Sequence, residues 1–163
     1  IRPAVMDDYP HVVNLIDNRE ELFLAFPAGR WPFNIRQVHL LASQRLDLTV
    51  CMDADKLVGF ANLYDKQPGK WAYIGNVIVD REFRGRGIGR RLLAYMLNLV
   101  FVQHGLPEAR LSVFRNNLPA LSLYRELGFS QFANDTRTAP DGRRVELLHL
   151  RLSQEGNEVS NRA

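Results

Sequence analysis

The amino-acid sequence predicts an α/β domain on a mixed sheet, and three observations predict it. The apolar period changes along the chain: a front that reads as helices gives way to alternating segments between residues 47 and 80. A glycine-rich loop at residues 84–89 then leads from a strand into an amphipathic helix and on to a further strand, which makes a β-α-β crossover. Two last alternating segments flank "APDG", a hairpin turn.

Taken in order, "IRPAV" reads as a short first strand. "MDDYPHVVNLI" follows as a helix, with Val12, Val13, Leu15 and Ile16 on one face and acidic Asp7 and Asp8 at its start, where a helix favours them. "ELFLAFPAGRWPF" reads as helix and then loop, broken by Pro27, Gly29 and Pro32. "NIRQVHLLASQ" is a further helix, with Ile35, Val38, Leu41 and Ala42 expected inward. "DLTVCMD" and "LVGFANLYD" alternate around the turn "ADK", a hairpin. "QPGK" turns again into "WAYIGNVIVD", a strand ending at Asp80. A helix is expected from Gly87 to Gln103, with Ile88, Leu92, Tyr95, Met96 and Leu99 in one stripe. "RLSVF" is a strand, "NNLPALSLYRELGF" a short helix stopped by Gly128, and "SQFANDTRT" and "RVELLHLRL" the closing pair.

With 163 residues, no repeat and no Gly/Ser linker, one domain is expected over residues 1–152, followed by a polar tail over 153–163. Net charge is +3, which permits an acidic ligand without requiring one. The lone Cys51 excludes an intramolecular disulfide and a multi-cysteine metal site, and reads as a buried small residue. No metal site is expected. No apolar run is long enough to span a membrane and no signal-peptide pattern opens the chain, so a cytoplasmic location with no membrane partner is the expectation.

The stretch Arg84-Gly85-Arg86-Gly87-Ile88-Gly89 follows a strand and opens a helix. First-turn amides of a helix have no partner within it, and the helix dipole adds roughly half a positive charge there. Glycines let a ligand approach the backbone, so these residues suit a pyrophosphate. A P-loop would need Gly-Lys-Ser/Thr, but Arg90 and Arg91 follow Gly89. A dinucleotide fingerprint needs a different glycine spacing. A nucleic-acid site is disfavoured: the basic residues occupy one turn and no aromatic strand pattern accompanies them. The bland reading is a tight turn with solvated arginines.

"VIVDREFRGRGIGRRLL" resembles the acetyl-CoA signature of the GNAT superfamily of N-acetyltransferases, with Arg84, Gly87 and Gly89 at the defining positions. "VFRNNLPALSLYRELGF" resembles a second element of that superfamily, matched by Asn117, Ala120, Leu123, Tyr124, Gly128 and Phe129. Two such elements in the right order are more specific than either alone, and the element order matches from Ile1 to about Leu152. The resemblance implies a GNAT-like mixed, mostly antiparallel sheet of about seven strands. Helices would cover both faces, and a parallel strand pair, "WAYIGNVIVD" and "RLSVF", would splay apart at its C-terminal ends.

It also implies an enzyme that moves acetyl from acetyl-CoA to a primary amine of a small molecule or peptide by direct attack. The pantetheine arm would pair with backbone around Ile78 and Val79, and the pyrophosphate would rest on amides of Arg84, Gly85, Arg86, Gly87, Ile88, Gly89 and Arg90. Asn117 would face the pantetheine amides or serve only as a helix cap, with Ala120 in the same element. Tyr124 would protonate the departing thiolate, the alternative being a core tyrosine. A backbone amide near Val77 would act as an oxyanion donor. Some relatives carry a glutamate as base where Ser112 stands here, so that role does not transfer. Glu20, Glu21 and Glu146 stand as unranked candidates working through water. His11, His39, His104 and His149 are scattered and read as surface or core residues. Trp31 and Asn76 are the candidates for the acceptor side. Phe26, Arg30 and Phe33 share the Trp31 loop, which either lines a pocket or plugs the core. The competing function is a non-catalytic acyl-CoA-binding module. Homodimers are common among proteins resembling this one.

Overall fold

The computed structural model describes residues 1–155. They form two compact units: Ile1–Tyr64 with Ile74–Met96, and Asp65–Tyr73 with the chain from Leu97 on.

The first unit carries β1 (Arg2–Pro3), α1 (Tyr9–Val13), α2 (Arg19–Ala25), α3 (Ile35–Gln44), β2 (Leu46–Asp53), and most of β3 (Lys56–Gln67), β4 (Trp71–Val79) and α4 (Ile88–Asn98). Its strands lie in sequence order, β1 and β2 antiparallel with Arg2 opposite Val50, and β2 and β3 antiparallel around the turn at Ala54. Val12, Leu22, Val38 and Leu41 pack with Val50, Phe60 and Ile78 into one core. The helices are set by caps that the apolar period does not reveal. Asn18 accepts from the Glu21 amide at 2.9 Å, and Asn34 from the Gln37 amide at 3.2 Å.

Two expectations fail here. The single helix over residues 6–16 is a tight 3-10 turn at Met6–Asp8 followed by α1, only five residues long. Asp8 is the reason. Its carboxylate takes the Arg2 guanidinium at 2.7 and 2.8 Å and the Val5 amide at 2.8 Å, which winds the first turn tightly. Ile35, expected inward, is 41% exposed, because the Asn34 cap and not the apolar stripe sets the start of α3.

The second unit carries β5 (Glu108–Phe114), α5 (Leu118–Glu126), β6 (Ser130–Thr138) and β7 (Arg144–Ser153), in the sheet order β5-β7-β6. Both pairings are antiparallel, with Ser112 opposite His149 and Val113 opposite Leu148. On β5, Ala109, Leu111 and Val113 are buried, while Glu108, Arg110 and Ser112 on the other face are half-buried. Helical structure runs beyond α4 as wider π-type turns over Leu99–Gln103, so the end expected at Gln103 is met. Gly128, at φ +93°, ends α5 as expected.

β7 runs to Ser153, and the Gln154 amide bonds the Pro107 carbonyl at 3.0 Å. The remainder of the expected tail, 156–163, lies outside the described residues. Among the described residues no helix is long and apolar enough to cross a membrane.

Candidate active site

The glycine loop sits where the sequence predicts. β4 ends at Val79, Asp80 caps a short turn by accepting from the Glu82 amide at 2.9 Å, and α4 begins at Ile88. Gly85 and Gly87 adopt φ +75° and +77°, a region that side chains with a Cβ rarely enter. Beyond each glycine and its chain neighbours, no described atom lies within 4 Å of where a Cβ would stand, so the loop's outer surface is open to a ligand. The arginines divide. Arg84 turns back, donating from Nε to the Val79 carbonyl at 3.1 Å and pairing with Glu21 at 3.1 Å. Arg86 lies over the Phe83 ring at 4.8 Å, and Arg90 is exposed on the helix. The Ile78 and Ile88 side chains are buried, so only their backbone is available to a ligand. Backbone donors at a helix start can hold a diphosphate.

Asn76 is expected to face the acceptor, but its side chain is engaged within the fold. It stands on β4 at φ +49°. Its Nδ2 donates to the Ala25 carbonyl at 2.8 Å, and its Oδ1 accepts from Asn62 Nδ2 at 2.9 Å. The Ala25 carbonyl can only accept, so it fixes the orientation of both amides. Asn62, fully buried on β3, carried no sequence signal. The bond joins β4 to the end of α2, where the aromatic loop begins. In that loop Phe33 is buried and meets Phe26 edge-on at 6.2 Å, while Trp31 is 39% exposed. The loop therefore plugs the core with one aromatic ring and presents another outward. Gln37 holds its shape through Arg30 and the Pro32 carbonyl.

In the second unit, Asn117 precedes α5, yet its side chain makes no capping hydrogen bond. The capping alternative therefore does not account for it. Ala120 is half-buried on α5. Tyr124 is 7% exposed and packs near Phe129, with ring centroids 6.1 Å apart. Burial pushes its phenol well above the ordinary value, so it stays a proton donor through the physiological range.

Of the carboxylates considered as bases, Glu146 is held by Arg115 at 2.5 and 3.0 Å and by Asn134 at 2.7 Å. These bonds draw its pKa down to about 2 and make it a poor base. Glu21 is paired with Arg84, and Glu20 is exposed. Strand register joins two residues that the sequence leaves 37 apart: Ser112 Oγ and His149 Nδ1 lie 2.8 Å from each other.

An open glycine loop between a strand and a helix start defines the class, an α/β domain whose loop can receive an anionic ligand. Solved structures carry that fold. A ribosomal-protein-alanine N-acetyltransferase from Brucella melitensis superposes with a TM-score of 0.78 at 21% identity, over 93% of this chain and 98% of that one. A variant spermidine N-acetyltransferase from Vibrio cholerae gives 0.78 at 22% identity, over 96% and 95%. The fold is thus the mixed seven-stranded α/β fold of these structures.

Residues 15–129 match the model of the Acetyltransferase (GNAT) family, and the chain belongs to that family. Mycothiol acetyltransferase from Rhodococcus opacus is 36% identical over 109 residues, 66% of this chain and 29% of that protein. A spermine/spermidine N(1)-acetyltransferase from Bacillus subtilis is 29% identical over 80 residues, 45% of this chain and 52% of that protein. An uncharacterized protein from Mycobacterium leprae is 35% identical over 53% of this chain, and the match spans 24% of its length. The chain therefore spans between about a quarter and a half of the length of these curated relatives.

Proposed function

We propose that this protein transfers an acetyl group from acetyl-CoA to a primary amine of a small molecule or peptide. The observation that carries this reading is the open loop before α4, whose Gly85 and Gly87 leave backbone donors approachable within a family match that runs across both units. In this reading the pyrophosphate rests on amides from Arg84 to Arg90, with the Arg86 and Arg90 side chains adding charge. The pantetheine arm runs beside the Ile78 and Val79 backbone. Asn117, free of capping duty, bonds the pantetheine amides, with Ala120 small enough to let the arm pass.

The amine nitrogen attacks the thioester carbonyl, and the Val77 amide stabilises the oxyanion that forms. The C–S bond then breaks, and the departing sulfur takes the proton of Tyr124, which burial keeps protonated. Trp31 lines the acceptor side, while Asn76 acts on it indirectly by holding Ala25. We further propose that residues 1–152 act as one catalytic domain. Its setting would be a reducing cytoplasm, which the buried thiol of Cys51 suits.

Calorimetry with acetyl-CoA, followed by thiol-release assays over polyamines, amino acids, aminoglycosides, protein N-termini and lysine peptides, tests the reading. Saturable acetyl-CoA binding with amine-dependent thiol release is the expected result. Binding without release from any amine would leave the acyl-CoA-binding module, and no binding would remove both.

A further inference from the structure

We propose that Ser112 and His149 are the proton-accepting pair for the acceptor amine, Ser112 Oγ relaying the proton to His149 Nδ1. The inference rests on the acetyl-transfer reading above.

A primary amine with a pKa near 10.4 is mostly protonated at neutral pH and must lose a proton before it attacks. Two of the carboxylate candidates are engaged elsewhere, Glu146 by Arg115 and Asn134, and Glu21 by Arg84. On the half-buried face of β5, Glu108 is bonded to Arg110 at 2.5 Å, and the Arg110 guanidinium lies over Trp71 at 3.7 Å and Phe132 at 4.7 Å. Ser112 is the next residue on that face, and its partner is an imidazole. The contact follows from cross-strand register, since Ser112 and His149 stand opposite each other on β5 and β7.

The surroundings keep the imidazole able to accept. Facing His149 are Ser112 from β5 and, from β6, the Phe132 ring at 6.2 Å together with Asp135 and Arg137, which pair with each other. Burial acts most strongly and lowers the pKa of His149. Asp135 raises it and Arg137 lowers it again. A neutral imidazole with Nδ1 unprotonated accepts the Ser112 O–H, and the hydroxyl oxygen is then free to take an N–H proton.

The step balances. The ammonium gives one proton to Ser112 Oγ while the Ser112 proton passes to His149, leaving a neutral amine and an imidazolium. The nitrogen lone pair forms the C–N bond, and the C–S pair leaves on sulfur with the proton of Tyr124. The second nitrogen proton returns through solvent to Tyr124, and the imidazolium releases its proton to water. The proton-accepting pair thus comes from β5 and β7, and the acid from α5.

The test compares kcat/KM against pH for the wild type, His149→Gln and Ser112→Ala. The probes are spermidine as a strongly basic acceptor, an alanine-terminated tetrapeptide as a basic one of lower pKa, about 8, and aniline as one that arrives deprotonated. The wild type should show an acidic limb set by a group below the ordinary histidine value of about 6.5. Each variant should lose about 100-fold or more with the basic amines but less than about tenfold with aniline. The limb should vanish in His149→Gln, and acetyl-CoA affinity should hold in both variants.

Equal losses with all three amines, or an unchanged limb in His149→Gln, would overturn the assignment. Should His149→Gln not fold, Ser112→Ala decides by the same difference between amines. A wild type that binds acetyl-CoA but acetylates none of the three, nor any amine of the wider screen, sinks the acetyl-transfer reading and this assignment with it.

Discussion

Gly87→Ala separates the cost of a backbone conformation from the cost to a ligand. Gly87 sits at φ +77° with nothing near the position of a Cβ, so alanine meets no clash and the folded state bears only the left-handed penalty. That penalty is roughly 1–2 kcal/mol. For a chain of this size each kcal/mol lowers Tm by about 2–4 °C, so a drop of about 2–8 °C is expected. Gly142, in the β6–β7 turn at φ +86° with equally open surroundings, is the matched control. Gly142→Ala should cost about the same in Tm, since the same strain acts on it. Only Gly87→Ala places a methyl where the diphosphate would approach. Loss of one backbone bond to a charged phosphate costs about 1.5–3 kcal/mol. Acetyl-CoA Kd by calorimetry should therefore rise about 10- to 100-fold in Gly87→Ala and stay unchanged in Gly142→Ala. Equal Kd values in the two variants, despite equal Tm shifts, would refute a phosphate role for the loop.

Tyr124→Phe should lower kcat by about 100-fold while acetyl-CoA affinity holds; unchanged kcat in a thiol-release assay would leave Tyr124 as a packing residue. Because burial raises the Tyr124 pKa, the native state keeps a proton that the unfolded chain loses above about pH 10, so stability should decline as pH rises beyond that point, as denaturant melts at pH 9 and 11 would show. Asn76→Ala should destabilise by about 1–3 kcal/mol, since it strands the buried Asn62 amide. Asn76→Gly, which relieves the φ +49° backbone, should lose less, and urea midpoints distinguish the two. Arg115 and Asn134 hold the Glu146 pKa at about 2 against an ordinary 4.5, so the stabilisation from this contact is present above pH 4.5 and disappears as pH falls toward 2. A carboxyl NMR titration of Glu146 with its midpoint near 4.5 would contradict the pairing.

The features legible in the sequence were those written in neighbouring residues. The glycine loop announces itself because strand end, loop and helix start are contiguous from Val79 to Ile88. The β2–β3 hairpin is read from alternation around a turn, and the end of α5 from Gly128. Ile35 and the first helix went astray because a cap at Asn34 and the Arg2–Asp8 pair outweighed the apolar period, and neither was visible as a period.

What stayed hidden belongs to register. The Asn62–Asn76 pair and the Ser112–His149 pair each join residues that stand in different strands, and a shift of one residue in either pairing would turn the partners to opposite faces. No local pattern in "RLSVF" or "LLHLRL" says which serine meets which histidine; the buried alternation of Ala109, Leu111 and Val113 against Leu148 and Leu150 narrows it, since a one-residue slip would turn one apolar set outward. The polar pair is therefore a by-product of core packing on the opposite face. Substitutions that loosen that packing, such as Val113→Ala or Leu148→Ala, would disturb the Ser112–His149 contact without touching either residue.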